Sequence, residues 1–196
     1  MATSLPMYTL LQKKNVVMTI ERKKADRSTI FHFRVQAKGN LEAEFRLSPG
    51  LRSALTVVLI LEQWAEAKVK IFYHGHEDSV FSCQTLQRHC GSHSYSDVEL
   101  RCVGEDAARI DYCGKIEVLE DIIGAKAVQR NKNLVLSEAV SIHTAPAMDV
   151  RSKDVACLHG AAIGGMDPEI LIYFASRGIK EPLARALFID GFLNRS

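Results

Sequence analysis

From residue 29 onward, apolar and polar positions alternate along the chain. Phe31, Phe33, Val35 and Ala37 share one parity, with His32, Arg34 and Gln36 between them. After a turn at Gly39-Asn40 the same pattern resumes, with Leu41, Ala43, Phe45 and Leu47 set against Glu42, Glu44 and Arg46. A period of two predicts strands with one buried face. Pro49-Gly50 breaks the chain before the apolar run 54–61. That run is too short and too β-branched for a helix, and it predicts a fully buried strand. Val69, Ile71 and Tyr73 alternate with Lys68 and Lys70, and further strand-like segments follow at 79–83, 95–103, 109–112, 115–119, 133–136, 140–143 and 155–159. Upstream, a short apolar piece at 16–20 and the cluster Arg22, Lys23, Lys24 and Arg27 read as an edge strand and a solvated turn. Strands at a spacing of roughly 8–12 residues fit a sandwich, a barrel or a β-solenoid. No sharp internal repeat chooses among them.

At Asp167 the pattern changes. Asp167-Pro168-Glu169 supplies an N-cap acceptor, proline at the first helical position and an acid in the first turn, which predicts a helix over 167–177. Gly178 stops it, and a second helix is expected over 182–194 with Leu183, Leu187, Phe188 and Phe192 on one side. The expected division is a β core over 1–165 and a helical segment over 166–196. Leu171, Tyr173, Phe174, Leu187, Phe188 and Phe192 carry more apolar surface than two helices bury between themselves, which predicts a partner there.

Composition changes little: 196 residues, 47% hydrophobic and 24% charged, describe an ordinary globular chain. A net charge of +2 gives no support to a dominant nucleic-acid or membrane-surface role. The apolar run at 54–61 falls far short of the roughly 20 residues of a membrane helix. Five irregularly spaced cysteines, without a signal-like start, suggest free thiols in a reducing, cytoplasmic compartment.

Candidate chemistry is concentrated in two places. His74, His76 and Glu77, with His89, Cys90 and His93 downstream, resemble a zinc-hydrolase motif. Polar turns carry the same residues, and no paired Cys-x-x-Cys occurs, so this is the second reading. Cys157 and His159 stand one residue apart, on one face of an extended segment, with the small residues Gly160, Ala161, Ala162, Gly164 and Gly165 after them. Cys83 and Cys102 share parity with apolar neighbours and are expected to be buried, whereas Cys113 falls out of register and should be reachable. No Gly-x-x-x-x-Gly-Lys-Ser/Thr phosphate loop is present.

Five blocks in series carry a resemblance. They are Gly114-Lys-Ile-Glu-Val118; Gln129-Arg-Asn-Lys-Asn-Leu-Val-Leu-Ser137; His143-Thr-Ala-Pro146; Asp154-Val-Ala-Cys-Leu-His-Gly160; and Tyr173, Ser176-Arg-Gly-Ile179, Ala184-Arg185 and Gly191-Phe192. The last 90 or so residues resemble the C-terminal part of the SufB/SufD family, scaffolds of iron–sulfur cluster assembly. The resemblance implies a right-handed parallel β-helix core with a two-helix appendage. It implies a non-enzymatic scaffold that holds a transient iron–sulfur cluster at a subunit interface and passes it to apo-proteins. Implied partners are a SufC-type ABC ATPase and a second protomer, either a copy or a SufB/SufD paralogue. It places metal ligation at Cys157 and His159, makes Cys113 a candidate sulfur relay, and puts the ATPase on the helices. SufB relatives carry cysteine where this chain has Asn131, so further ligands must come from elsewhere or from another subunit.

Overall fold

A computed structural model describes residues 7–10, 15–22, 28–47 and 52–194. Lys23, Lys24, Arg27 and the Pro49-Gly50 break lie outside the described residues. The strands are β1 (Met7–Leu10), β2 (Asn15–Arg22), β3 (Ser28–Val35), β4 (Asn40–Leu47), β5 (Arg52–Leu61), β6 (Glu66–Gly75), β7 (Val80–His89), β8 (Tyr95–Gly104), β9 (Arg109–Val118), β10 (Lys126–Val135), β11 (Ser141–Val150) and β12 (Ala156–Gly165). Two helices follow, α1 (Pro168–Ser176) and α2 (Glu181–Asn194).

Odd-numbered strands form sheet A in the order β1-β3-β5-β7-β9-β11, and even-numbered strands form sheet B in the order β12-β10-β8-β6-β4-β2. Every pairing is parallel. The chain therefore crosses from one sheet to the other at each corner and returns one coil higher, as a β-solenoid. Ser28 pairs with Ala54 and Arg109 with Ser141, so a coil takes up about 26 to 32 residues. This drift in coil length is why no sharp repeat shows in the sequence.

In-register parallel stacking puts residues of one parity into the lumen on every coil. Phe31, Phe33 and Val35 meet Leu41, Ala43 and Phe45 there, and Tyr73 stacks on Phe81 with ring centroids 4.2 Å apart. The 54–61 run differs from expectation. It lies in β5, whose burial alternates, so Thr56, Val58 and Ile60 face outward and are only half-covered. Segments 109–112 and 115–119 merge into β9 across Gly114, and 133–136 is the end of a longer β10.

Sharp corners hold the coils together. Lys38, Trp64, His93 and Gly124 occupy equivalent corner positions with φ of 63°, 60°, 58° and 65°. The N–H of each donates one coil onward, to the carbonyls of Gln63, Ser92, Ile123 and Asp154 respectively, at 2.7–3.0 Å. Left-handed backbone at a non-glycine residue costs about 1–2 kcal/mol, which these bonds offset. The Trp64 ring stacks on His93 at 4.2 Å, and a Cβ on Gly124 would sit 2.5 Å from the His93 ring, so glycine is required at that step.

Asp167 caps α1, accepting from the Glu169 N–H at 2.9 Å. Gly178, at φ 75°, ends it: Ile179 N–H reaches Phe174 O at 3.0 Å and Gly178 N–H reaches Ala175 O at 2.9 Å, the two bonds of a Schellman stop. No residue of α1 is buried, and α2 buries only Ala184. No helix among the described residues is long and apolar enough to cross a membrane.

Candidate functional site

The solenoid is open where its last coil ends. β11 and β12 are the outermost strands of their sheets, and their inward positions have no further coil above them. Met148 and Val150 on β11 and Ile163 on β12 are exposed there, leaving an apolar mouth. Cys157 and His159 stand at that mouth. Register pairs them with Ala127 and Gln129, both buried, so both side chains point inward from the edge strand. The small residues after them split between the faces: Ala161 lies with His159, whereas Gly160, Ala162 and Gly164 face out, and a Cβ at Gly160 or Gly164 would meet nothing within 4 Å.

Cys157 is half-buried against the cluster of Ile116, Val118, Ile122, Ala125 and Ala127. Burial pushes its thiol above the ordinary value, so a metal must displace its proton. His159 is half-buried, and its Nδ1 is enclosed without a hydrogen-bond partner. An enclosed ring nitrogen of this kind carries a cost until something occupies it. Among the described residues no three His, Cys, Asp or Glu side chains stand together as a metal-holding set. One chain supplies an incomplete pair of donors.

Beneath the mouth the lumen turns polar. Gln87, His89, Ser94, Ser96, Gln129, Asn131 and Asn133 are all buried. Ser96 Oγ donates to Gln87 Oε1 at 2.7 Å, Gln87 Nε2 to Gln129 Oε1 at 3.4 Å, and Asn133 Nδ2 to Asn131 Oδ1 at 2.6 Å. Gly114 makes room for this layer: a Cβ there would sit 2.4 Å from both Gln129 Nε2 and the Tyr112 hydroxyl. These residues were missed in the sequence as a group. Their signal is parity, since Thr85, Gln87 and His89 continue the inward phase of Phe81 and Cys83.

His89 lies between Ser94 Oγ, 2.7 Å from Nδ1, and Ser96 Oγ, 2.8 Å from Nε2. Burial lowers its pKa from 6.5 to about 4, so the folded chain holds it neutral. The unfolded chain protonates it first. Its contribution is therefore complete above pH 6.5 and is lost as the pH falls toward 4. The full loss is about 3 kcal/mol. Urea unfolding between pH 7 and 4 should show this fall in the wild type and a much smaller one in His89→Gln; an equal fall in the variant would refute the assignment.

The zinc-hydrolase residues do not gather into a set of three ligands among the described residues. The His74 and His76 rings lie 6.3 Å apart, but His74 pairs with Glu105 at 2.9 Å, Glu77 sits in a corner at φ 57°, His89 is inside the lumen, and His93 is stacked on Trp64. Cys83 and Cys102 are sealed inside with raised pKa values, whereas Cys113 is exposed on the outer face of sheet A.

The helix residues divide. Tyr173 and Leu187 are exposed, at 58% and 46%, but Leu171, Phe174, Phe188 and Phe192 are half-buried. Ile172, at 69%, is not among the residues expected to face a partner, yet it is more exposed than Tyr173, and Leu183, expected only on the apolar side of the second helix, is 55% exposed. Leu183 and Leu187 stand one helical turn apart on α2, which puts both on that exposed side.

Residues 17–192 match the SufBD core domain of the SUF system for FeS cluster assembly. The chain belongs to the SufBD core family. It is 35% identical over 92 residues to an iron–sulfur cluster assembly SufBD family protein of Synechocystis, covering 47% of this chain and 20% of that protein. It is 30% identical over 92 residues to the iron–sulfur cluster assembly protein SufD of Escherichia coli, covering 47% and 22%. It is 29% identical over 130 residues to SufD of Bacillus subtilis, covering 66% and 29%. The matched stretches thus span under a third of these relatives' own length. In this SufBD core the Cys157–His159 pair occupies the open end of the solenoid.

Proposed function

We propose that this SufBD-core chain is a scaffold subunit of iron–sulfur cluster assembly, holding a nascent cluster as cargo where the open end of its solenoid meets a second one. The observation that carries this is the placement of Cys157 and His159, inward on an edge strand, with Nδ1 of His159 enclosed and unpartnered. Thiolate and imidazole both ligate iron in clusters. A second copy, or a paralogue, supplies the missing donors and covers the apolar mouth, which an unpaired edge otherwise leaves open to aggregation. Opening that interface removes part of the coordination and lets the cluster pass to apo-proteins.

The reading uses 1–165 as the core and 166–196 as a docking segment for a separate SufC-type ABC ATPase, in the cytoplasm. The chain is then a scaffold and not an enzyme. Cys113 is exposed, which is the condition a thiol must meet to take sulfur from a donor. Anaerobic reconstitution of the full chain with ferrous iron and sulfide tests the reading. Expected is bound iron and acid-labile sulfide with visible charge-transfer absorption; a chain that retains neither overturns it.

A further inference from the structure

Apolar packing does little to hold the helical pair on the core. Only Ala184 is buried in the two helices, and a half-open groove of about 670 Å³ remains beside α2, lined by Phe174, Phe188, Gly191 and Phe192 and by Arg101 and Lys132 of sheet B. Gly191 faces open space, since a Cβ there would meet nothing within 4 Å. A closely packed interface leaves no such groove between its elements. Phe174, Phe188 and Phe192 are accordingly only half-buried.

The hydrogen bonds that join α2 to sheet B are at its C-terminal end. Arg101 Nη1 donates to Phe192 O at 3.0 Å, and Arg46 Nη1 to Asn194 Oδ1 at 2.7 Å. The last turn of α2 has no basic residue of its own, although a helix C-terminus carries roughly half a negative charge. Sheet B supplies the cations. Register aligns Arg46, Phe72, Arg101 and Lys132 in one row across four coils. The Arg46 guanidinium lies 4.7 Å over the Phe72 ring, and Arg101 and Lys132 share the Glu99 carboxylate at 3.0 and 3.2 Å.

We propose that the helical pair is a latched arm, seated reversibly on the cationic row Arg46–Arg101–Lys132 by the C-terminal end of α2 and free to swing when that contact breaks. Contacts between a cation and a helix end are screened by salt, whereas apolar packing is not. The arm joins the core directly after β12, the strand that carries Cys157 and His159. That the arm couples an ATPase to the cluster rests on the proposed function; the latch itself does not.

Hydrogen exchange on the full chain tests it, in wild type, Arg46→Gln, Arg101→Gln, Gly191→Ala and Gly191→Leu. In both arginine variants, and in wild type at high salt, exchange in α1 and α2 should rise about tenfold while the strands stay protected. Gly191→Leu should slow exchange in α2 beyond Gly191→Ala, because both improve helix propensity and only leucine fills the groove. Arg46 is at the surface, so if Arg101→Gln disturbs the sheet by leaving Glu99 short of a partner, Arg46→Gln decides. Helix protection in Arg46→Gln equal to wild type at both salt concentrations overturns the latch. A rigid helical pair could still bind an ATPase, so that failure leaves the proposed function standing.

Discussion

His159→Ala is expected to lose most of the iron and acid-labile sulfide that the proposed scaffold should retain after anaerobic reconstitution, by about tenfold or more, with its melting temperature nearly unchanged. The two halves of this expectation have separate causes. The imidazole is half-buried at the mouth, and its Nδ1 satisfies no other group, so its removal strands no partner and should cost less than about 1 kcal/mol. It is also one of two donors that one chain offers, so a site shared by two chains loses an equivalent ligand from each side. Cys157→Ala should lose the cargo as well, but it also removes packing against Ile116 and Val118 and should lower stability by about 1 kcal/mol. Comparing the two variants separates ligation from packing. Wild-type iron and sulfide in His159→Ala would sink the site.

Deleting the chain after Gly165 should abolish binding of the proposed ABC ATPase partner and leave the solenoid folded. The helices contribute one fully buried residue, Ala184, and the lumen is built without them. A finer version uses Ile172→Asp with Leu183→Asp. Both side chains are more than half exposed, so the charges cost the fold little, yet a desolvated carboxylate at an apolar contact should weaken the complex about a hundredfold. Titration calorimetry with the ATPase subunit, beside thermal melts, reads both quantities. A truncated chain that still retains the ATPase would place its docking surface elsewhere.

Particular residues show how far the sequence reached. Alternation at Phe31–Val35 and Leu41–Phe45 is local, because a side chain's face in a strand depends only on parity, and these strands formed as expected. Asp167, Pro168 and Gly178 act within a few residues of themselves, so the limits of α1 were legible too. The Cys-x-His spacing put Cys157 and His159 on one face for the same reason. The full burial expected of 54–61 failed because composition does not reveal what covers an outer face, and Thr56, Val58 and Ile60 are only half-covered.

Local periodicity and capping chemistry thus determined the strands, the two helices and the shared face of the candidate ligands. Tertiary structure alone decided that the strands stack as a two-sheet solenoid, that Trp64 and His93 turn corners in left-handed backbone, and that Gln87, His89 and Gln129 meet inside the lumen. It also decided that Cys157 and His159 stand at an open end, and that Arg46 and Arg101 meet the end of α2. Each of these depends on residues about 26 to 148 positions apart, brought together by coil register and helix docking, and no pattern within a single strand or turn encodes which coil a residue will face.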